Sequence, residues 1–294
     1  MHPNAFHYFT PRTVREASDL LTRYKDDAKI LAGGHTLIPL MKLRLATPKY
    51  IVDINRIKGL SYIKRNNTRI MIGALTRYRD LEASHLLQKT CPMLVETAMT
   101  IGDPQIRNMG TIGGNISHGD PANNLPPTMI ALDAEFVIKR PPKTRTVKAE
   151  RFFKDIFTTD LKHNEILTEV RFPIPPSGSG GTFLKLERKA GDLAVVSVAT
   201  QLTLDSKRCK RASIGLGSAG TTPIKARKAE KSLIGSEITD ESIRKAAEGA
   251  SKESQPLPDL RGTAEYKTEM VKIFTQRALR IAYERAVKGG KIHK

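Results

Sequence analysis

The spacing of apolar residues changes along the chain and divides it into segments. Val14, Ala17, Leu20, Leu21 and Tyr24 recur at helical spacing behind Thr13-Val14-Arg15-Glu16. That tetrapeptide is a capping box, in which a hydroxyl and a carboxylate satisfy free N–H groups of the first helical turn, so a helix is expected there. The apolar run Ile30-Leu31-Ala32 reads as a short strand, followed by Gly33-Gly34 and by Thr36 as the cap of a helix over 37–45 that Pro48 stops. A second strand is expected over 50–54. Strand, turn, helix and strand make a small α/β unit, with the glycine pair at the strand-to-helix turn where such units bind ligands.

From about residue 60 the segments shorten. Strands are expected over 61–64, 70–72 and 135–139. Helices are expected over 76–87 with Thr76 as cap, over 92–101, and from Pro126-Pro127 to 134. A second double-glycine loop, Thr111-Ile112-Gly113-Gly114-Asn115, falls between the helix at 92–101 and the turn at Asp120-Pro121. Pro173, Pro175 and Pro176 with Ser177-Gly178-Ser179-Gly180-Gly181 form the sharpest break in composition. Beyond it, strands are expected over 182–188, 194–204 and 212–217. The alternation of Val196, Val198, Thr200 and Leu202 points to a half-buried antiparallel strand. Helices follow over 224–234, 240–252 and 264–287, the last with Met270, Ile273, Phe274, Leu279, Ile281 and Ala282 at helical spacing. No internal repeat is evident. The pattern describes an α+β chain of three domains, over 1–57, 58–176 and 177–294.

Composition narrows the classes. The chain has 294 residues, 39% of them hydrophobic, enough for several compact domains. It lacks a run of about eighteen apolar residues, so no membrane span is expected. Met1-His2-Pro3-Asn4-Ala5-Phe6 shows no basic start followed by an apolar core, so a cytoplasmic protein without a secretory signal is expected. Cys91 and Cys209 form no zinc or iron–sulfur spacing and read as two separate thiols. The 49 basic residues against 30 acidic ones leave a net charge of +19. Such an excess attracts polyanions. Here the charges are scattered and aromatics make up only 5%, with no aromatic-interleaved basic motif. The charge therefore reads first as a solvated surface, second as a docking surface for acidic subunits, and third as a nucleic-acid site. A lysine-rich chain without tryptophan also suits a thermophilic source.

The candidate chemistry rests on the two glycine pairs. A glycine pair removes side chains where a backbone must approach a ligand. Each pair is followed by a small polar residue able to bond a phosphate oxygen or cap a helix. Neither matches G-x-G-x-x-G or the P-loop. His35 and His118 have no third metal ligand beside them, Asp103-Pro104 and Asp120-Pro121 read as turns, and no nucleophile elbow or Ser-His-Asp set stands out. Two glycine loops closing on one diphosphate suggest a dinucleotide cofactor.

Ala32-Gly33-Gly34-His35-Thr36 followed by Leu37-Ile38-Pro39-Leu40-Met41-Lys42-Leu43-Arg44, then Ile101-Gly102-Asp103-Pro104-Gln105-Ile106-Arg107-Asn108, and the segments 110–115, 118–122 and 185–192, closely resemble the FAD-binding medium subunit of the molybdenum hydroxylases. That family includes carbon monoxide dehydrogenase, aldehyde oxidoreductases and the flavin domain of xanthine dehydrogenase. The resemblance runs from Phe6 to Ala264-Glu265-Tyr266. It implies a PCMH-type FAD-binding fold of two α/β subdomains plus a C-terminal domain of antiparallel strands and helices.

By resemblance, Ala32, Gly33, Gly34, His35 and Thr36, with Thr111, Ile112, Gly113, Gly114 and Asn115, hold the FAD diphosphate through backbone N–H groups and the two threonine hydroxyls. Ile101 packs near the cofactor, Leu167 contacts it through its backbone, and Lys185 lies near the flavin, where a cation stabilises negative charge on the reduced ring. Asn124 stands where many relatives have Asp. Asp192 belongs to the flavin-side loop and is followed by Leu193, where relatives often carry an aromatic. The resemblance also implies partners: a large molybdenum subunit that oxidises the substrate, typically an aldehyde, and a small iron–sulfur subunit, two copies of each subunit in the assembly. Carbon monoxide and aromatic thioesters come next as substrates. Electrons pass from the iron–sulfur clusters through FAD to an external acceptor, so neither a catalytic acid or base nor a metal is expected in this chain. A stand-alone flavin oxidase or reductase is the first alternative, requiring turnover by the isolated chain. A basic nucleic-acid-binding protein is the second, requiring steeply salt-dependent binding without flavin.

Overall fold

The computed structural model describes residues 2–289, so Met1 and residues 290–294 at the ends of the expected first and third domains lie outside it. The chain begins with β1 (His7–Phe9), α1 (Val14–Tyr24), β2 (Ala28–Leu31), α2 (Leu37–Lys42) and β3 (Tyr50–Asp53). Its three strands form a parallel sheet in the order β1-β3-β2. Thr13 Oγ1 accepts from the Glu16 N–H at 3.1 Å, as the capping box requires, but the Glu16 carboxylate reaches past the cap to the Arg12 N–H at 2.8 Å. Ala17 and Leu21 of α1 join Val52 and Ile54 in a small core. The helix α2 is shorter than the expected 37–45. It closes at Leu43, and Arg44 takes a left-handed φ of 58°.

The central region carries β4 (Ile63–Arg65), β5 (Arg69–Gly73), α3 (Tyr78–Ala83), α4 (His85–Thr90), α5 (Pro92–Met99), α6 (Pro104–Met109), α7 (Ile112–His118), α8 (Leu125–Ala131), β6 (Glu135–Arg140), β7 (Lys143–Lys148), α9 (Ala149–Phe152), β8 (Phe153–Asp155), β9 (Thr158–Thr159) and β10 (Ile166–Pro173). Five of these strands make an antiparallel sheet in the order β4-β5-β10-β6-β7. The helix expected over 76–87 is two helices. Ser84 is extended between them, and its Oγ accepts from the Leu87 N–H, which caps α4. Thr76 is not a cap: its hydroxyl bridges the N–H and C=O of Tyr62. The second glycine segment, expected as a loop, is the first turn of α7. Thr111 supplies the cap hydroxyl that makes this helix possible despite its two glycines.

The C-terminal region has β11 (Ser179–Leu186), β12 (Val196–Asp205), β13 (Arg208–Gly217), β14 (Ile224–Lys225), α10 (Arg227–Leu233), α11 (Asp240–Glu253) and α12 (Ala264–Val287). Its four strands are antiparallel in sequence order. The strand β12 is buried on both faces, not one. Ala199 enters the central core while Val196, Val198 and Leu202 enter the C-terminal one, and the Thr200 hydroxyl donates to Ala278 O of α12 at 3.1 Å. The alternation therefore marks two apolar environments. The Ser-Gly stretch that reads as a linker is already strand at Ser179, because α12 crosses so close that only glycine fits. A Cβ on Gly180 would lie 2.1 Å from Ala282 O and 2.4 Å from the Ala286 N.

Gly180→Ala should thus force α12 off β11 and cost about 1–3 kcal/mol of stability. Chemical denaturation of the variant beside the parent measures the loss, and an unchanged midpoint would refute the tight contact.

Candidate functional site

The first glycine segment leaves β2 and turns at Gly34, whose φ of +78° is left-handed. The N–H groups of Gly33, Gly34, His35, Thr36 and Leu37 meet no acceptor among the described residues. Five successive open donors at the start of a helix form an anion-binding concavity. His35 and Thr36 are exposed, and the Thr36 hydroxyl makes no cap bond.

The second segment faces the first. A Cβ on Gly114 would lie 3.8 Å from the Ala32 Cβ, and a Cβ on Gly33 would collide with Met109 O at 2.5 Å and Gly110 Cα at 2.7 Å. The two glycine motifs thus meet, as the sequence suggests. Their donors differ, however. The N–H groups of Ile112, Gly113, Gly114 and Asn115 donate to Thr76 O, Ala74 O, Thr111 Oγ1 and Thr111 O. The second segment therefore contributes close backbone approach rather than open donors. The Asn115 Oδ1 is buried and without a partner, a polar atom left for a ligand.

A side-chain network fixes this pairing. Asn55 Nδ2 donates to Ala32 O at 2.8 Å, Arg77 donates to Asn55 Oδ1 at 2.8 Å, and the other arm of Arg77 donates to Met109 O. One guanidinium thereby ties both glycine segments. Burial lowers the Arg77 pKa from its ordinary value, and burial pushes the Tyr78 phenol up, offset in part by the Asn115 amide beside it.

A second cluster lies at the other end of α6, a helix about 9 Å long by its six residues. Lys185 Nζ donates to Thr100 O and to Asp192 O, both at 2.8 Å, and stands 2.6 Å from Glu187 Oε2. Asn124 Nδ2 donates to Thr100 O at 3.2 Å and to Thr100 Oγ1 at 3.0 Å. The neighbouring Ile101 packs on the central core, and its carbonyl accepts from Arg107. Asp192 Oδ1 accepts from the Leu193 N–H, the main cause of its lowered pKa. Leu193 beside it is exposed. Leu167 is buried in the central core, and the next residue's carbonyl, Thr168 O, accepts from the Ala74 N–H that lies beneath Gly113. The structure thus gathers the predicted residues into two groups joined by α6, with Leu167 beneath α7. Asn55, Arg77, Tyr78 and Thr100 belong to these groups and carry no local motif that marks them in the sequence, and Glu187 lies within the 185–192 motif without a feature that singles it out.

A concavity of open donors, an unpartnered amide oxygen and a cradle that a Cβ would fill together fit the diphosphate of a dinucleotide, and define a dinucleotide-binding protein. Residues 4–175 match the family model for the FAD binding domain in molybdopterin dehydrogenase, and residues 181–282 match that for the CO dehydrogenase flavoprotein C-terminal domain. The chain is 41% identical to the carbon monoxide dehydrogenase medium chain of Afipia carboxidovorans, covering 97% of this chain and 99% of that one. It is 37% identical to the glyceraldehyde dehydrogenase medium chain of Sulfolobus acidocaldarius, covering 95% and 99%. Among solved structures, a carbon monoxide dehydrogenase from Hydrogenophaga pseudoflava superposes with a TM-score of 0.95 at 42% identity, covering 97% of this chain and 99% of that chain. The protein belongs to the FAD-binding medium subunits of the molybdenum hydroxylases. It is an oxidoreductase subunit with FAD as its cofactor, and its fold is that of the carbon monoxide dehydrogenase medium chain.

Gly33→Ala should lower FAD affinity at least about tenfold, because the added methyl parts the two glycine segments. Arg77→Gln should weaken it by a similar factor through loss of the tie between Ala32 and Met109. Flavin-to-protein ratios after dialysis check both, with circular dichroism showing that the fold persists.

Proposed function

We propose that the chain is the electron-transferring FAD subunit of an aldehyde-oxidising molybdenum hydroxylase. Its partners are a large molybdenum subunit and a small subunit carrying iron–sulfur clusters, with two copies of each subunit in a heterohexamer. The observation that carries this reading is the row of open N–H groups at residues 33–37, on a segment packed against the second glycine segment, in a chain of this family. When bound, FAD supplies the relay of electrons from the partner's iron–sulfur clusters to an external acceptor.

The chain's residues bind and orient the cofactor. The N–H groups at Gly33, Gly34, His35, Thr36 and Leu37 hold the diphosphate. The Thr111 hydroxyl and Asn115 close the cradle from α7, with Ile112, Gly113 and Gly114 giving close approach. Ile101, Asn124, Leu167, Lys185 and Asp192 form the flavin side. Lys185 holds residues 187–192 against Thr100, and its ammonium, paired with Glu187, would supply the cation on the flavin side. Leu193 stands at its mouth, where a smaller and softer side chain than an aromatic widens access for the acceptor. No described helix is long and apolar enough to cross a membrane; we propose a cytoplasmic complex. We place the metal centres on the partner subunits, as in the homologous complexes. The lysine-rich surface supports a thermophilic source. We read residues 1–57, 58–176 and 177–294 as the three folding units.

Aldehyde is favoured by the glyceraldehyde dehydrogenase relative, and carbon monoxide is the second reading, favoured by the 41% identity to carbon monoxide dehydrogenase medium chains. Co-expression with the large and small subunits, followed by assay with glyceraldehyde and with carbon monoxide against an artificial acceptor, separates them. Aldehyde-dependent reduction by the complex and none by the isolated chain is the expected result; turnover by the isolated chain would overturn it. Lys185→Met should lower the flavin potential in the isolated FAD-loaded chain, read by spectroelectrochemical titration, and an unchanged potential would remove Lys185 from the flavin side.

A further inference from the structure

A cavity of about 380 Å³ opens where the central region meets the C-terminal one, and it shares no lining residue with the cofactor cradle. Five cationic side chains line it: Arg69, Lys148, Arg211, Lys225 and Arg227. Three carboxylates line it as well, Asp133, Glu135 and Glu150, which leaves an excess of two positive charges. Counting the pairs just behind the wall, Arg171 on Glu135 and Glu230 near Lys225, adds one charge of each sign and leaves the excess unchanged.

The carboxylates hold the cations in place. Asp133 adopts a left-handed φ of 49°, uncommon for a residue with a side chain, and this turns its carboxylate between Arg211 and Lys225. Glu135 Oε2 accepts from Arg69 at 2.5 Å, and Glu150 Oε2 accepts from Arg227 at 2.5 Å. Arg69, Arg211 and Arg227 each make a single hydrogen bond to the described residues, out of five N–H groups apiece. Lys148 is exposed and makes no ion pair among the described residues. The cluster is thus preorganised and retains donors. Pro173, part-exposed, supplies the apolar wall, with Ile130, Ala134 and Ala149 buried behind it. The volume far exceeds that of a lone anion and suits a small ligand.

We infer that this cavity binds a small phosphate ester, its dianionic phosphate held by Arg69, Arg211, Arg227 and Lys148 and its body laid on the apolar wall. Guanidinium forks match phosphate oxygens in geometry as well as charge. An excess of two positive charges matches a phosphate dianion.

Calorimetric titration of the FAD-loaded chain tests this with AMP, inorganic phosphate and adenosine as probes. Saturable binding of AMP and phosphate, and none of adenosine, is expected. Tighter binding of AMP than of phosphate assigns the site to an ester; equal affinity assigns it to free phosphate and overturns the role of the apolar wall. Lys148→Gln with Arg227→Gln replaces two exposed side chains and should weaken AMP at least about tenfold while flavin content stays constant. Absence of saturable binding up to about 10 mM, within the weak-affinity range of small anions, overturns the proposal. So does AMP affinity indifferent to the double variant, or AMP binding that displaces flavin, which would place the ligand in the cofactor cradle. Binding of polyglutamate but not of phosphate would assign the surface to an acidic protein segment instead.

Discussion

The backbone of Gly33 runs against the backbone of Met109 and Gly110, and a single methyl group would prevent it. Much of the site's geometry follows from this contact. It brings the strand-to-helix turn of the parallel sheet onto the C-terminal end of α6 in the central region. Asn55 and Arg77 then satisfy the carbonyls on either side of it, so that neither Ala32 O nor Met109 O is left for solvent. With those carbonyls turned toward the network, the N–H groups of residues 33–37 are left facing outward. The packing of the two regions thus holds the segment that carries the open donors in place.

The two glycine segments share a sequence signature yet do different work. The first lacks internal partners for its N–H groups because Gly34 turns away from β2 before α2 begins. In the second, a threonine at the cap position draws the chain straight into helix, and Ala74 and Thr76 take the N–H groups that remain. A glycine pair permits either outcome. The neighbouring residues decide between them.

The segment boundaries most legible in the sequence are those governed by local chemistry. The cap at Thr13, the proline that opens α5 and the long helix at the C-terminus all follow from short-range rules. That the two glycine motifs meet is equally legible. What the sequence conceals are outcomes decided by distant contacts. Thr76 has the right identity to cap a helix, but Tyr62 claims its hydroxyl. The alternation in β12 reads as one wet face because its second face packs on α8, a partner far away in the chain. Residues 177–181 read as linker because small residues suit both a flexible connection and a strand crossed closely by a helix. Arg77 lies in no motif, and its role appears only when Asn55 and Met109 are brought together.

The electrostatics around the cradle favour a fixed-charge role over proton transfer. Burial pushes Tyr78 further from neutrality, and Arg77 is lowered only from a value far above it. Asp192 is held below the usual carboxylate range by the Leu193 N–H. His118, whose pKa burial lowers, packs at a tilt against Phe157 at the far end of α7 from the glycine pair. General acid–base catalysis needs a group whose pKa lies near the working pH. Tyr78 and Asp192 move away from that range and Arg77 starts far above it, so they present constant charges and dipoles. Such an environment acts on a bound cofactor through fixed charges and dipoles.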